Sequence, residues 1–377
     1  MDWSESGYLA LSALNVKNGY IDANQDAHYG GEELYQKWMG NVKLAKGDVL
    51  FTTEAPMGNV AQVPDDKGYI LSQRTIALQT DDDVTDSTFF AQYLRSAQIQ
   101  NTLNSVASGG TAKGVSQKTL TPIQTVVPGD VREQRKIGEL LVAMDNVIAA
   151  NQSKVNALKN RKNAYLERIF NQTLRFSGFT EPWVQRNLGK VFDVVTDYVA
   201  NGSFESLRNN VNSSDVDGFA YLVRLQDASN NWQGPWLYTD RHGYEFLEKS
   251  RLQPGDIIMA NVGSVGKFFL VPELDKPMTL APNAVLIKSS ESYQGFLYQM
   301  MLTPKMQYKI FEKTTPGAQP KINKTDFKMI DTQLPGVDEQ IKIGKLFESL
   351  DNLIAANQKK IDLMQKQKQA YLQKMFI

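Results

Sequence analysis

The sequence predicts an α+β protein built from two pseudo-repeated globular domains that are separated by two long antiparallel coiled-coil helices. Three observations support this fold class: one helical segment is written twice, the residues before each copy align with each other, and a Pro-Gly pair precedes each copy. Since the repeat period is about 200 residues, each repeated unit is a domain and not a solenoid blade.

The helical repeat is plain in the sequence. Residues 133–170 read EQRKIGELLVAMDNVIAANQSKVNALKNRKNAYLERIF, and residues 339–376 read EQIKIGKLFESLDNLIAANQKKIDLMQKQKQAYLQKMF. Roughly half of the positions are identical without a gap, which chance or shared helical composition does not produce. The similarity continues upstream at nearly the same offset, where residues 47–63 align with 255–271, residues 70–80 with 279–289, and residues 110–129 with 317–336.

These alignments divide the chain into four parts. They are a first globular domain over residues 1–128, a central helix over 129–176, a second globular domain over 177–335 and a C-terminal helix over 336–377. Short β-branched or aromatic segments bounded by Gly, Pro or Asp predict strands within residues 48–52, 69–78, 256–260 and 284–287. Residues 89–106 and 294–311 are predicted to be helices within the two domains.

Both helical copies carry an a/d seam, because apolar positions recur at alternating three- and four-residue steps. A helix of about 38 residues is about 57 Å long and needs a long partner. Each copy could instead be buried against its own domain, but the shared register and the paired seam asparagines favour a mutual antiparallel coiled coil. The seam positions are Leu141, Met144, Ile148, Asn151, Val155, Leu158, Lys162, Tyr165 and Ile169 in the first copy, and Phe347, Leu350, Ile354, Asn357, Ile361, Met364, Lys368, Tyr371 and Met375 in the second.

Composition excludes several classes of protein. Apolar residues make up 42% of the chain, charged residues 22%, and there is no cysteine. No apolar run approaches the roughly 18 residues that span a bilayer, and no signal peptide is evident, so we expect a cytoplasmic protein without a membrane partner. The lack of cysteine excludes disulfides and thiolate metal sites, and the two histidines, His28 and His242, are too few to suggest a zinc or iron centre.

The domain arrangement suits a bipartite DNA target. Half-site separation on B-DNA is set by the distance between the reading elements, about 34 Å per helical turn, and two divergent domains on a rigid spacer fix such a distance. Two diverged domains could also bind two protein partners. Basic and acidic residues balance at 41 each, so DNA affinity must come from local patches or from a bound partner, and we favour the partner.

The chain resembles the specificity (S) subunit of type I restriction-modification systems. The resemblance is carried by the KIG, IAANQ and AYL motifs of both helices, by PWVQRNLGKVF at residues 182–192, and by GDII and GSVGK within residues 255–267. It covers nearly the whole chain. It implies that residues up to about Pro128 and from about Ser177 to Pro335 are target-recognition domains for double-stranded DNA. It also implies that the helices dock two modification (methyltransferase) subunits, and that restriction subunits join through the complex.

The two domains differ at their starts. The leading segment of the second domain, residues 183–220, has no counterpart before Tyr8. Compared with the family that the chain resembles, we therefore expect the first domain to lack about thirty residues of its entry segment. The alternatives are a truncated chain, a chain that starts late and an unusual member of the family.

Base reading needs hydrogen-bonding side chains that reach the groove edges, with further cationic and polar groups on phosphate. Candidates lie in polar loops of the two domains. For each residue alone an ordinary solvated turn is the more common role, whereas the aligned glycine-rich loops are stronger candidates as a group. The candidates are Gln73, Arg74, Lys113, Gln117 and Lys118 in the first domain, and Asn261, Ser264, Lys267, Gln319, Lys321, Asn323 and Lys324 in the second.

The sequence contains no recognisable catalytic, cofactor-binding or metal-binding motif. A Walker-type phosphate loop, a glycine-rich cofactor loop, an Asn-Pro-Pro-Tyr-like segment and a His/Cys cluster are all missing, so we predict no catalytic, cofactor-binding or metal-binding residues. The resemblance implies that methyl transfer and ATP-driven cleavage belong to partner subunits. Two rival classes remain: a non-catalytic coiled-coil scaffold that binds proteins through its two domains, and a stand-alone nuclease with a carboxylate site.

Overall fold

The computed structural model describes residues 3–109 and 113–375. The chain divides into two compact units, one formed by residues 1–155 and 357–377 and the other by residues 156–356. We call them unit 1 and unit 2. Both boundaries fall inside the two long helices, so each unit contains one globular domain and a segment of each helix. Within the described ranges, no helix combines the length and the apolar character needed to cross a membrane.

Unit 1 contains eight short strands in its described residues and four short helices. The strands are β1 (Tyr8–Leu11), β2 (Val16–Lys17), β3 (Tyr20–Ile21), β4 (Tyr29–Gly30), β5 (Val49–Thr52), β6 (Val60–Gln62), β7 (Tyr69–Leu71) and β8 (Thr75–Leu78). The helices are α1 (Glu32–Met39), α2 (Ser87–Leu94), α3 (Ala97–Val106) and α4 (Gln117–Leu120). The long helix α5 (Val131–Phe170) begins in this unit and ends in unit 2.

Unit 2 contains more strands than unit 1 among the described residues. They are β9 (Val184–Asn187), β10 (Val194–Asp197), β11 (Ala220–Val223), β12 (Tyr238–Thr239), β13 (Arg251–Leu252), β14 (Ile257–Ala260), β15 (Phe268–Leu270), β16 (Met278–Leu280), β17 (Ala284–Lys288) and β18 (Asp331–Leu334). Its short helices are α6 (Leu188–Val191), α7 (Phe204–Asn210), α8 (Leu225–Ser229), α9 (Arg241–Phe246), α10 (Gln294–Met301), α11 (Pro304–Glu312) and α12 (Lys324–Lys328). The long helix α13 (Val337–Met375) begins here and ends in unit 1.

The two globular domains share one sheet topology. In unit 1, β1 pairs antiparallel with β4 and parallel with β7, and β5 lies between β6 and β8. In unit 2, β11 pairs antiparallel with β12 and parallel with β16, and β14 lies between β15 and β17. The predicted α+β class with two pseudo-repeated domains is therefore confirmed.

The leading segment accounts for the main difference between the domains. In unit 2 it supplies β9, which pairs with β18, and β10, which pairs with the outer side of β17. In the part of unit 1 that the structure describes, the equivalent strand β8 pairs with β5 alone. Among its described residues, the first domain has the shared sheets and no strand equivalent to β9 or β10.

The prediction of one continuous helix in each domain was wrong. Residues 89–106 contain a break between α2 and α3, and residues 294–311 contain a break between α10 and α11. At each break a hydroxyl side chain caps the next helix: Ser96 accepts from the backbone N–H of Ile99, and Thr303 accepts from that of Met306. Hydroxyl residues compete with helical hydrogen bonding in this way, and Pro304 fits only the first turn of a new helix. Residues 69–78 likewise hold two strands, β7 and β8, in different sheets.

The long helices begin two residues before the predicted repeats, and residue 376 lies outside the described residues. Each is fixed at its start by a buried glutamine whose amide donates to the preceding proline carbonyl, from Gln134 to Pro128 at 2.7 Å and from Gln340 to Pro335 at 2.9 Å. The same glutamines accept the backbone N–H of Asp86 and of Tyr293. An equivalent glutamine therefore holds the Pro-Gly transition in both units, although unit 1 has one more residue between the proline and the glutamine.

Within each unit the two long-helix segments run antiparallel. In unit 1, Asp145 contacts Lys368, and Tyr371 and Leu372 pack against the core that contains Leu141. In unit 2, Lys162 contacts Asp351, and the rings of Phe170 and Phe347 lie 6.4 Å apart. In both units, residues later in one helix therefore meet residues earlier in the other. All of the predicted seam positions, from Leu141 to Ile169 and from Phe347 to Met375, are buried or half-buried.

Candidate nucleic-acid interface

Two loops of unit 2 are joined into one polar surface. The first connects β14 to β15 over residues 261–267, and the second covers residues 315–322. Val262 forms a bridge with Lys321, the N–H of Gly263 donates to the Pro320 carbonyl at 2.8 Å, and the N–H of Ile322 donates to the Asn261 carbonyl at 3.0 Å. Thr315 also bridges to Lys321, which closes the second loop on itself. We call this surface the unit 2 loop pair.

Unit 1 repeats the arrangement with its own two loops. Residues 53–59 connect β5 to β6, and the second loop runs from Ser108 to Gly114, with residues 110–112 outside the described ranges. Gly114 bridges to both Glu54 and Ser108, and the N–H of Val115 donates to the Thr53 carbonyl at 2.9 Å. The equivalent surface is the unit 1 loop pair.

A glutamine from the neighbouring helix holds the first loop of each pair. Gln307 of α11 donates to the carbonyls of Gly266 and Met301 at 2.8 and 2.7 Å, and Gln100 of α3 donates to those of Gly58 and Leu94 at 3.0 and 2.8 Å. Both glycines have a positive φ, near 87° and 89°, which other residue types adopt at a cost.

A side chain on either glycine would require the glutamine to move, in addition to the unfavourable positive φ. A Cβ on Gly266 would lie 2.7 Å from the Gln307 Oε1, and one on Gly58 would lie 2.6 Å from the Gln100 Oε1. Sequence reasoning missed both glutamines. The available signal was that glutamine occurs at equivalent positions of the two repeats.

The structure brings five of the seven second-domain candidates onto the unit 2 loop pair. Ser264, Lys267, Gln319 and Lys321 are exposed there, and Asn261 is half-buried. The other two candidates are occupied by local contacts. Asn323 caps α12 by accepting the N–H of Asp326 at 2.8 Å, and Lys324 forms an ion pair with Asp197 of β10 at 2.8 Å. Asn323 and Lys324 are therefore weaker candidates for DNA contact than the five on the loop pair.

In unit 1 the candidates divide in a similar way. Gln73 and Arg74 are exposed in the turn between β7 and β8, and the Arg74 carbonyl accepts the N–H of Thr53 at 2.9 Å. This bond places their turn beside the unit 1 loop pair, where Lys113 also lies. Arg74 is 3.7 Å from the carboxylate of Glu54. The remaining two candidates, Gln117 and Lys118, are exposed on α4.

The unit 2 loop pair is locally basic although the chain is neutral. Residues 261–267 and 315–322 contain Lys267 and Lys321 and no acidic residue. A cluster of this kind favours phosphate without a basic excess over the whole protein. The loops also present amide, hydroxyl and backbone groups, which is the mixture that DNA-reading surfaces use for bases and phosphates.

The helix seam contains two ion pairs at equivalent places of the repeat. Lys162 donates to Asp351 at 2.6 and 2.8 Å in unit 2, and Lys368 donates to Asp145 in unit 1. In each unit a helix of the globular domain, α10 in unit 2 and α2 in unit 1, donates a glutamine hydrogen bond to the same carboxylate. The donors are Gln299 at 3.0 Å and Gln92 at 3.1 Å. The ion pairs therefore tie each globular domain to both long helices.

Unit 1 adds a third charge to its pair. Arg95 lies 2.8 Å from Asp145. Burial opposes ionisation of Asp145, but the hydrogen bond from Lys368 and the charges of Arg95 and Lys368 outweigh it and lower the pKa of this carboxyl. Burial and the nearby Arg95 charge lower the pKa of Lys368. The unit 1 site is thus a three-charge cluster with an excess of one cation.

Among the described residues, no group of three or more His, Cys, Asp or Glu side chains is placed to hold a metal ion. His28 contacts Asp26 at 3.3 Å, and His242 contacts the side chain of Asn210 at 3.0 Å.

The chain matches one protein-family model twice. The model is described as a type I restriction modification DNA specificity domain, and the matches cover residues 12–160 and 180–365. Each match therefore contains one globular domain and most of the long helix that follows it.

Two curated proteins of Methanocaldococcus jannaschii are similar over most of the chain. One is a putative type I restriction enzyme MjaX specificity subunit, 21% identical over 383 residues that cover 96% of this chain and 84% of that protein. The other is the type I restriction enzyme MjaVIII specificity subunit, 21% identical over 343 residues that cover 86% of this chain and 76% of that protein.

A solved structure shares the fold. It is the S subunit of a type I restriction-modification system from M. genitalium, with a TM-score of 0.64 and 15% identity, covering 100% of this chain and 90% of that one. At this low identity the likeness concerns the fold alone.

Proposed function

This chain belongs to the family of type I restriction-modification DNA specificity proteins, and we propose that each of its globular domains reads one half of a bipartite double-stranded DNA target. The observation that carries this proposal is the repeated loop pair. Both domains present two polar loops joined through backbone bonds and held by an equivalent glutamine. The remaining loop residues differ between the domains, which suits two different half-site sequences.

The loop pairs supply the contacts to DNA in this proposal. Lys267 and Lys321 in unit 2, and Arg74 and Lys113 in unit 1, approach phosphate or guanine, while neighbouring amide and hydroxyl groups reach base edges. Fixed loops favour affinity, because a preorganised surface loses less conformational entropy when it binds. The glutamines Gln100 and Gln307 act as positioning residues and not as base-reading ones.

The long helices set the gap between the half-sites and dock two modification subunits. Support for docking comes from apolar side chains at equivalent places of the two helices. Val147 of α5 is 40% exposed, and Leu353 at the equivalent place of α13 is 46% exposed. Because a surface that occurs twice binds the same partner twice, the repeat supports two copies of the modification subunit. Restriction subunits then join through the complex.

In this assembly the chain catalyses nothing by itself. Methyl transfer and its cofactor belong to the modification subunits, and ATP-driven translocation and cleavage belong to the restriction subunits. The complex works on DNA in the cytoplasm. The role of this chain is to bring those activities to one sequence.

The proposal is tested by selection from a randomised DNA pool at fixed salt, with the chain alone and with its modification subunit. We expect enrichment of a split motif with a constant gap, mainly in the presence of the partner. Lack of enrichment under both conditions would contradict DNA targeting and favour the protein-binding scaffold. Metal-dependent cleavage by the isolated chain would instead identify a nuclease.

A further inference from the structure

Unit 1 contains a cavity beside its three-charge cluster. The cavity has a volume of about 1090 Å³ and lies between the start of α3, the β2–β3 turn and the parts of α5 and α13 that belong to this unit. Its charged lining residues are Arg95, Asp145 and Lys368. Its other polar side chains are all carboxamides, from Asn18, Gln98, Gln365, Gln369 and Gln373. We call this space the unit 1 cavity.

The cluster beside the cavity has one positive charge in excess. Among the described residues that line the cavity, Asp145 is the only acidic one, and it pairs with both Arg95 and Lys368. The side chains of Arg95 and Lys368 are only 17% and 9% exposed, so water screens the excess charge weakly. A charge removed from water is stabilised by a partner of opposite sign. An anion in the cavity would be such a partner.

Both cations keep hydrogen-bond donors that no protein acceptor takes up within the described parts of the chain. Arg95 donates through Nη1, to Asp145 at 2.8 Å and to the Gln92 side chain at 3.3 Å, which leaves its Nε and Nη2 groups over. Lys368 donates to Asp145 and has two further N–H groups. The cluster therefore has several charged donors to offer to a ligand.

The internal repeat shows that the excess charge is particular to unit 1. Gln92 and Gln299 bind equivalent aspartates, and three residues later unit 1 has Arg95 where unit 2 has Leu302. The unit 2 pair consists of one lysine and one aspartate. Because that pair fixes the helix register in unit 2 without an arginine, the register does not explain Arg95.

We propose that the unit 1 cavity binds a phosphate group. The planar guanidinium of Arg95 is suited to phosphate oxygens, and Lys368 adds a second cation. The carboxamides come from the β2–β3 turn, α3 and α13, so their N–H groups approach a tetrahedral anion from several sides. The phosphate is either a free ion or a phosphodiester of DNA, which share this chemistry. The inference does not rest on DNA reading by the loop pairs, since free phosphate alone tests it.

The first test is protection of Arg95 from phenylglyoxal, which modifies guanidinium groups. The full chain is labelled in increasing inorganic phosphate, with sodium chloride at matched ionic strength as the reference, and modification is read by mass spectrometry. We expect labelling of Arg95 to fall by about fivefold or more at saturating phosphate. Arg175 is the matched control and should show no protection, because it is 19% exposed and already paired with Glu339.

Two variants change the net charge of the cluster in opposite directions. Arg95→Leu introduces the residue that unit 2 has at this position and should weaken phosphate binding about tenfold or more. Asp145→Asn removes the carboxylate that repels the anion and should strengthen binding about threefold or more. Isothermal titration calorimetry with inorganic phosphate measures both affinities, and circular dichroism establishes that both variants fold.

DNA in place of inorganic phosphate identifies the source of the phosphate group. The complex with the modification subunit is labelled with and without a DNA duplex. Protection of Arg95 by the duplex assigns the cavity to the DNA backbone, and protection by inorganic phosphate alone assigns it to the free ion.

Three results would overturn the proposal. They are equal protection of Arg95 and Arg175 by phosphate, protection that does not saturate, and an affinity for phosphate that Arg95→Leu leaves unchanged. Weaker binding by folded Asp145→Asn would also overturn it, because the excess charge would then not be what attracts the anion. These outcomes are independent of the DNA selection experiment, since inorganic phosphate is the probe.

Discussion

Lys162 Nζ donates to both carboxylate oxygens of Asp351, at 2.6 and 2.8 Å. The internal repeat places Lys368 and Asp145 at the same two positions, and these residues form the second ion pair. Each lysine therefore meets the aspartate of the other helical copy. This reciprocal pairing fixes the same antiparallel register within both units.

Removing the two aspartate charges should destabilise the protein unequally. Asp145→Asn leaves both Lys368 and Arg95 without a counter-charge and should lower the free energy of unfolding by about 1–3 kcal/mol. Asp351→Asn leaves only Lys162, and the Asp351 side chain is 40% exposed, so solvent screening limits its loss to about 1 kcal/mol. Urea unfolding followed by circular dichroism measures both variants. Equal losses would argue against a special role for the three-charge cluster.

The effect of Asp145→Asn should also depend on pH. Because the pKa of Asp145 is lowered in the folded protein, the unfolded chain binds more protons below about pH 4, so the stabilisation is present above that pH and is lost as pH falls through the folded pKa. The stability difference between wild type and Asp145→Asn should therefore shrink between pH 5 and pH 3. A difference that stays constant over this range would show that the carboxylate charge is not its source.

Glycine at one position of each long helix permits close packing of a domain helix. A Cβ on Gly138 would lie 2.7 Å from the Phe89 nitrogen, and one on Gly344 would lie 2.9 Å from the Phe296 nitrogen. Gly138→Ala and Gly344→Ala should each destabilise by about 1–3 kcal/mol, against the usual preference of helices for alanine.

The two glycines before the long helices provide matched controls for this prediction. Nothing lies within 4 Å of a Cβ on Gly129 or Gly336, so Gly129→Ala should be nearly neutral. Gly336→Ala changes the residue directly before α13 and should cost at most about 1 kcal/mol, because alanine is a poorer N-cap than glycine. Thermal unfolding of the four variants checks this. Stabilisation by Gly138→Ala or Gly344→Ala would show that the domain helices do not press on the long helices.

The repeat made much of this fold predictable. Both long helices begin within two residues of the predicted start, because a repeated seam and a Pro-Gly boundary are local features of the sequence. The breaks before Ala97 and Pro304 were missed because the side-chain caps that produce them compete only weakly with a continuous helical pattern. The partners of Lys162 and Lys368 were also missed, since both lysines were assigned to the seam without a counter-charge.

The candidate interface was predictable in part. Glycine-rich polar loops identified Ser264, Lys267 and Lys321 correctly as exposed loop residues. Sequence alone did not show that Asn323 caps a helix or that Lys324 pairs with Asp197. Both contacts depend on elements that tertiary folding brings together, and a loop pattern contains no information about them. Contact of any of these residues with DNA stays a prediction.

The lysines of the unit 2 loop pair should contribute to phosphate binding. Lys267→Ala and Lys321→Ala should each weaken DNA binding and reduce the slope of log K against log salt by about 1. Lys324→Ala is the matched control, because Lys324 already pairs with Asp197 and should leave the slope unchanged. Binding of the complex with the modification subunit is measured from about 50 to 200 mM salt. Equal effects of all three variants would remove the loop pair from the interface.

The central claim is that two domains read two half-sites at a separation set by the long helices. It is tested by inserting three heptads, copied from the seam, after Val155 in α5 and after Ala356 in α13, the points where the two units meet in sequence. The insertion lengthens both helices by about 31 Å, close to one turn of B-DNA, so the half-sites again face the domains.

The measurement is the motif selected from a randomised DNA pool by this variant and by wild type, each with the modification subunit. The account predicts unchanged half-sites and a gap longer by about nine or ten base pairs. An unchanged gap in the folded variant would contradict it.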